Sequence, residues 1–188
     1  MKIGVLAVQG AFLEHEQMIR SLGHDCAELR KKTDISGLDG LILPGGESTV
    51  QGKLLRELGM FEPLRELIVG GMPVLATCAG LILLSERIEN DCAGYFRTLP
   101  VTVKRNAYGR QLGSFEETQE LAGLGVFRMI FIRAPYITSV KSGVDVLATV
   151  GGNIVAVAYQ NQIGLAFHPE LSGDDRIHRK FLQLISKK

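Results

Sequence analysis

The sequence predicts a three-layer α/β fold built on a mixed, mainly parallel sheet, and three observations predict it. The chain opens on a near-continuous apolar run, Ile3-Gly4-Val5-Leu6-Ala7-Val8, of the kind covered on both faces in a parallel sheet. Short apolar runs then alternate with amphipathic stretches through the first half, as in successive β-α units. In the second half, strand-like runs follow one another with only turn residues between them, which adds antiparallel strands.

Taken in order, the strand at Ile3–Val8 is followed by helical periodicity from about Ala11 to Leu22, with Gly23 placed to close the helix. A weak second strand lies at Cys26–Leu29. A third, Leu41-Ile42-Leu43, stops abruptly at Pro44-Gly45-Gly46. Helices are predicted over Thr49–Leu58 and Glu62–Val69, with Pro63 suited to a first turn. Pro73–Ala76 reads as a buried strand and Leu81–Ile88 as the helix after it. Strands are then expected at Pro100–Lys104, Val126–Ile132, Val144–Val150, Ile154–Tyr159 and Gln162–Phe167. Gly151-Gly152-Asn153 and Asn161 supply the turns of an antiparallel meander among the last three. A final helix, Asp174–Ile185, has acids at its start and Lys187-Lys188 just beyond its end, matching the helix dipole.

The 188 residues fit one domain, 1–188, and 46% hydrophobic content suffices for a core without staples. A formal net charge of +1, with no dense basic stripe, argues against nucleic acid as a partner. Arg30-Lys31-Lys32 reads as a solvated helix exit or loop. No apolar stretch approaches the ~18 residues that span a bilayer. The first strand begins at once, without a secretory leader pattern. A cytoplasmic protein without a membrane partner is therefore expected.

The three cysteines, Cys26, Cys78 and Cys92, form neither a disulfide framework nor a zinc pattern. Only Cys78 has chemical context. It lies in Ala76-Thr77-Cys78-Ala79-Gly80, between a buried strand and an apolar helix, where a sharp elbow would hold a nucleophile out of the sheet. Helix N–H groups behind it favour a thiolate and can receive an oxyanion. The bland alternative is a small buried cysteine in a tight turn. Phe167-His168-Pro169-Glu170 follows the last strand. There His168 could act as base to Cys78, and in an extended chain Glu170 would lie on the same side as His168 and orient it. Pro44-Gly45-Gly46-Glu47-Ser48-Thr49 lets backbone approach a ligand closely, although it also reads as a plain turn capped by Ser48. It lacks the lysine and spacing of a phosphate loop.

Strand–Pro-Gly-Gly, then the cysteine elbow, then His-x-Glu roughly 90 positions later, resembles the triad class I glutamine amidotransferases over essentially the whole chain. Their fold is a flavodoxin-like three-layer scaffold. Further motifs are similar to those of the glutaminase subunits of pyridoxal 5′-phosphate synthases. These are Ile3–Phe12, Leu43–Thr49, Thr77–Gly80, Arg105-Asn106-Ala107-Tyr108-Gly109-Arg110-Gln111, Ile132-Arg133-Ala134-Pro135 and Phe167–Glu170. One departure is Ala76, where related amidotransferases carry glycine. Alanine is the smallest replacement, so a tighter elbow is expected.

The resemblance implies a glutaminase in which Cys78 attacks glutamine, His168 moves protons and Glu170 holds His168. It implies an oxyanion hole from the backbone N–H groups of Gly46 and Ala79. It also implies L-glutamine binding by Gly46, Glu47, Ser48, Arg105, Ile132 and Arg133, the arginines suiting an α-carboxylate. Salt bridges to Glu116 or Glu117 are the alternative use of those arginines. The implied partner is a pyridoxal 5′-phosphate synthase (lyase) subunit in a large hetero-oligomer, which receives the ammonia for vitamin B6 synthesis. No metal or cofactor is expected, since His15, His24, His168 and His178 show no ligand spacing. Rival readings are the glutaminase of another pathway, such as histidine synthesis, a small cysteine hydrolase on a similar scaffold, and a silent binding module.

Overall fold

The computed structural model describes residues 1–106 and 113–186. The first half builds β1 (Lys2–Leu6), α1 (Phe12–Ser21), β2 (Asp25–Leu29), β3 (Gly40–Leu43), α2 (Ser48–Glu57), α3 (Phe61–Val69), β4 (Val74–Thr77) and α4 (Ala79–Leu84). Strands β1 to β4 pair in parallel in the order β2-β1-β3-β4. Because the chain moves one way from β1 to β2 and the other way from β3 to β4, right-handed crossovers put their helices on opposite faces. The carboxyl ends of β1 and β3 therefore part at a switch point, where open α/β sheets bind ligands. Ile3, Val5, Leu41, Ile42, Leu43, Val74 and Leu75 are all fully buried, as their apolar runs require. Helix α1 closes on Gly23 at φ +80°, with His24 N–H bonded to the Ile19 carbonyl.

The second half adds β5 (Ser85–Ile88), β6 (Leu99–Lys104), β7 (Ser114–Leu121), β8 (Gly125–Ile132), β9 (Tyr136–Val140), β10 (Asp145–Val150), β11 (Asn153–Tyr159), β12 (Gln162–Leu165) and α5 (Arg176–Ser186). The expected meander is present, with β10, β11 and β12 antiparallel in sequence and β12 laid parallel to β4. Gly151 and Gly152 both have positive φ, as a two-residue hairpin turn needs. At the other turn Gln160 takes a positive φ. At the start of α5, Asp174 accepts the Arg176 N–H at 3.0 Å, so the regular helix begins two positions later than expected. Lys187 and Lys188 lie outside the described residues.

Three segments differ from expectation. The helix expected over Leu81–Ile88 ends at Leu84, and Ser85–Ile88 is a strand parallel to β6. The Leu83 and Leu84 carbonyls bond the N–H groups of Phe96 and Thr98, and Ser85 Oγ bonds the Ile82 carbonyl at 2.8 Å. Those partners end the helix, in an apolar run whose period could not separate the two states. Strand β7 is rich in glutamate, a poor strand former, yet it pairs in register with β8 from Ser114–Ile132 to Leu121–Gly125. Strand β9 is set by pairing with β6. Among the described residues no helix is long and apolar enough to cross a membrane.

Candidate active site

The carboxyl ends of β1, β3, β4 and β8 surround a pocket of about 430 Å³. Cys78 stands between β4 and α4 at φ 47° and ψ −101°, a left-handed backbone that costs a non-glycine residue about 1–3 kcal/mol. Surrounding bonds hold it there, since the Cys78 N–H donates to the Leu165 carbonyl at 2.8 Å. Gly80 lets the elbow pack, because a Cβ there would lie 2.0 Å from the Leu43 carbonyl oxygen. Ala76 is fully buried between Leu43 and Gly164 in register. The Sγ of Cys78 is 3.9 Å from the Ile132 carbonyl oxygen at the end of β8. Ala79 opens α4, where an N–H has no partner within the helix.

His168 is placed by its backbone, whose N–H donates to the Ile130 carbonyl of β8 at 2.8 Å. Its imidazole Nδ1 bonds Glu170 Oε1 at 2.7 Å, which leaves the other ring nitrogen for Cys78. Glu170 does not reach it by extended-chain alternation. Pro169–Leu171 forms a 3₁₀ turn, and that turn folds the carboxylate back under the ring. Burial alone would lower the His168 pKa, but hydrogen bonds with Cys78 and Glu170 outweigh it and raise it to about 10. Burial pushes Glu170 upward, yet His15 and His168 outweigh that and hold it below the ordinary carboxylate range.

The imidazolium pairing thus stabilises the fold fully below the ordinary value of 6.5, and that contribution is lost as pH rises through about 10. We expect the His168 ring protons to titrate near pH 10 in the native chain and well below it in Cys78→Ala, as read by NMR. An unchanged midpoint in Cys78→Ala would mean that the thiol does not help hold the charge.

The glycine loop after β3 is tied down on both sides. Gly45 N–H donates to Thr77 Oγ1 at 3.0 Å, and the Gly45 carbonyl accepts from Ala11 N–H at 3.0 Å. A Cβ on Gly45 would lie 2.3 Å from His168 Cε1, so only glycine fits against the imidazole. Glu47 N–H donates to Gln9 Oε1 at 2.8 Å, and Gln51 Nε2 reaches the Gln9 and Pro44 carbonyls. Glu47, not Ser48, is the residue preceding α2, and no side chain caps that helix.

Of the residues singled out in the sequence, Cys78, His168, Gly46, Glu47, Ser48, Arg105, Ile132 and Arg133 all line the pocket. Glu170 sits behind His168, and Ala79 behind Cys78. Arg105 is ion-paired with Asp91, while Glu116 bonds Arg128 at 2.9 Å. Arg133 is exposed at φ 43°. Ala107, Tyr108, Gly109, Arg110 and Gln111 lie outside the described residues. Sequence reasoning missed Gln9, Gln51, Thr77 and Asp91 as parts of the site. It also missed His15 and His178, which sit 163 positions apart and meet only through folding. Among the described residues no cluster of three or more His, Cys, Asp or Glu could hold a metal ion. The arrangement offers a thiol, a base with its own anion and backbone N–H groups around one pocket, a set suited to acyl transfer.

Residues 5–187 match the model of the SNO glutamine amidotransferase family. The chain is 66% identical to the pyridoxal 5′-phosphate synthase subunit PdxT of Desulfitobacterium hafniense (strain Y51), covering 99% of this chain and 94% of that protein. It is 54% identical to the subunit of the same name from Methanocorpusculum labreanum, covering 99% and 98%. A crystal structure of a glutamine amidotransferase superposes with a TM-score of 0.93 at 44% identity, covering 98% of each chain.

Proposed function

The chain belongs to the SNO glutamine amidotransferase family, and from that premise we propose that it hydrolyses L-glutamine to L-glutamate and ammonia for a pyridoxal 5′-phosphate synthase (lyase) subunit. The observation that carries the reading is the strained Cys78 elbow facing the buried His168–Glu170 pair across one pocket. Relatives at 54% and 66% identity carry the name of a synthase subunit, which supports a separate synthase as the acceptor of the ammonia. The two subunits assemble into a large hetero-oligomer, and the chain works as one amidotransferase domain in the cytoplasm.

The Cys78 thiolate attacks the carboxamide carbon of glutamine, and the carbonyl oxygen takes the electron pair. The N–H groups of Gly46 and Ala79 receive that oxyanion. His168 gives its proton to the nitrogen, the C–N bond breaks, and ammonia leaves a γ-glutamyl thioester on Cys78. A water molecule, deprotonated by His168, then attacks the thioester and releases glutamate. Glu170 keeps the imidazole oriented and balances its charge. Arg133 and Arg105 take the α-carboxylate, with Arg105 exchanging Asp91 for it. Glu47, Ser48 and the Ile132 backbone complete the glutamine site.

Ammonia set free without an acceptor is wasted, so docking of the synthase switches the site on. The switch is the Gly45–Gly46 peptide, which glycine can reorient at little steric cost. Its carbonyl bond to the Ala11 N–H ties its orientation to the start of α1. Only one orientation aims the Gly46 N–H at the oxyanion, and one such donor is worth about 100- to 1000-fold in rate. Glutamate release by the isolated chain is therefore expected to be slower by about that factor than by the mixture with the lyase subunit. Equal rates would sink the switch.

A further inference from the structure

Behind the His168–Glu170 pair lies a second buried histidine pair. His15 on α1 and His178 on α5 are both fully buried, and their rings lie tilted at 51° to each other with His15 Nδ1 2.9 Å from His178 Nε2. His15 Nε2 is 3.3 Å from Glu170 Oε2, the oxygen not used by His168. Among the described residues that buried oxygen has no hydrogen-bond partner, and His15 Nε2 is the contact within ion-pair distance of it. His15 Nε2 is also 3.3 Å from Thr77 Oγ1, the atom that accepts the Gly45 N–H.

We propose that His15 is a positioning residue for the reaction: neutral, with its proton on Nε2, it holds Glu170 in place for His168. The inference rests on the catalytic reading of Cys78, His168 and Glu170. A carboxylate only accepts hydrogen bonds, so a proton on the His15 nitrogen that faces Glu170 is the tautomer that favours the 3.3 Å contact. His15 Nδ1 is then an acceptor, and His178 must donate from Nε2. That leaves His178 Nδ1 bare, which agrees with its having no hydrogen-bond partner among the described residues. The tautomers of both rings therefore follow from one anion.

Neutrality matters as much as the tautomer. A charged His15 would compete with the His168 imidazolium for Glu170. Burial is the main cause that lowers the His15 pKa, with His168 adding to it and Glu170 opposing. Burial likewise lowers His178 to about 3, and His15 adds to that. Glu170 thus keeps its full charge for His168 while losing freedom to rotate. The 3.3 Å contact of His15 Nε2 with Thr77 Oγ1 joins the anchor of the base to the glycine loop through the Gly45 N–H.

Two isosteric substitutions separate the edges of the ring. Gln places an amide nitrogen where Nε2 stands, whereas Asn reaches only the Nδ1 position. With L-glutamine and the chain mixed with its lyase subunit, His15→Asn should lower kcat by about 10- to 100-fold and leave KM unchanged, because His15 does not line the pocket. His15→Gln should restore most of that loss. In a Glu170→Gln background the His15→Asn penalty should vanish, since residues acting through one another are not additive. The same penalty in both backgrounds, or His15→Asn with full kcat, would overturn the proposal. Cys78→Ala is the control: glutamate release surviving there would instead sink the catalytic reading on which the proposal rests. Should either His15 variant fail to fold, ¹⁵N NMR of the native chain decides, with His15 expected to stay neutral and protonated at Nε2 from about pH 6 to 8. A His15 that titrates in that range, or carries its proton on Nδ1, would overturn it.

Discussion

Cys78→Ala is expected to abolish glutamate release, by about 10⁴-fold or more, while leaving the fold intact. Alanine keeps the Cβ and the left-handed backbone at φ 47°, so the elbow loses only the sulfur. The thiol is 6% exposed and its polar contacts among the described residues are the Ile132 carbonyl and His168, so its loss opens little space in the core. Cys26 is no substitute, for burial, with Glu16 adding to it, pushes its pKa up to about 12. Cys92 is exposed in a different loop. Circular dichroism and steady-state assay of Cys78→Ala check both halves. Activity that survives in Cys78→Ala and vanishes in Cys92→Ala would assign the nucleophile elsewhere.

His168→Asn should remove turnover almost as completely, whereas Glu170→Gln should cost less, about 10²- to 10⁴-fold, because it removes only the orienting anion. The pH dependence carries the sign. Glu170 favours the charged imidazole through its 2.7 Å bond, so a neutral amide there lets the His168 pKa fall from about 10. The alkaline edge of the rate profile in Glu170→Gln should therefore move to lower pH. A Glu170→Gln enzyme with native rate across the whole range would rule out the role of Glu170.

The central sheet and the ends of its strands were legible because short-range chemistry defines them. Apolar runs such as Leu41–Leu43 have nowhere to go but the interior, and Gly45-Gly46 and Cys78 sit at the turns that follow. Ser85–Ile88 was not legible, since the groups that end α4 come from Phe96 and Thr98, after the strand itself. Strand β7 was hidden because its glutamates argue against a strand, and only the β8 ladder overrides them. In the site, Cys78, His168 and Glu170 announced themselves through compact motifs. The partner of Arg105 did not, since the ion pair with Asp91 depends on how two loops meet. His15 and His178 show no ligand spacing in the sequence. Their meaning arises only when α1 and α5 pack on the same side of the 3₁₀ turn that carries Glu170.

The covalent step is read most directly by acid quench of the chain during turnover of L-glutamine beside its lyase subunit, followed by peptide mass spectrometry. The predicted result is a γ-glutamyl thioester on the peptide carrying Cys78, rising and decaying with turnover. Full turnover with no adduct on Cys78, or an adduct on Cys26 or Cys92 in its place, would contradict it.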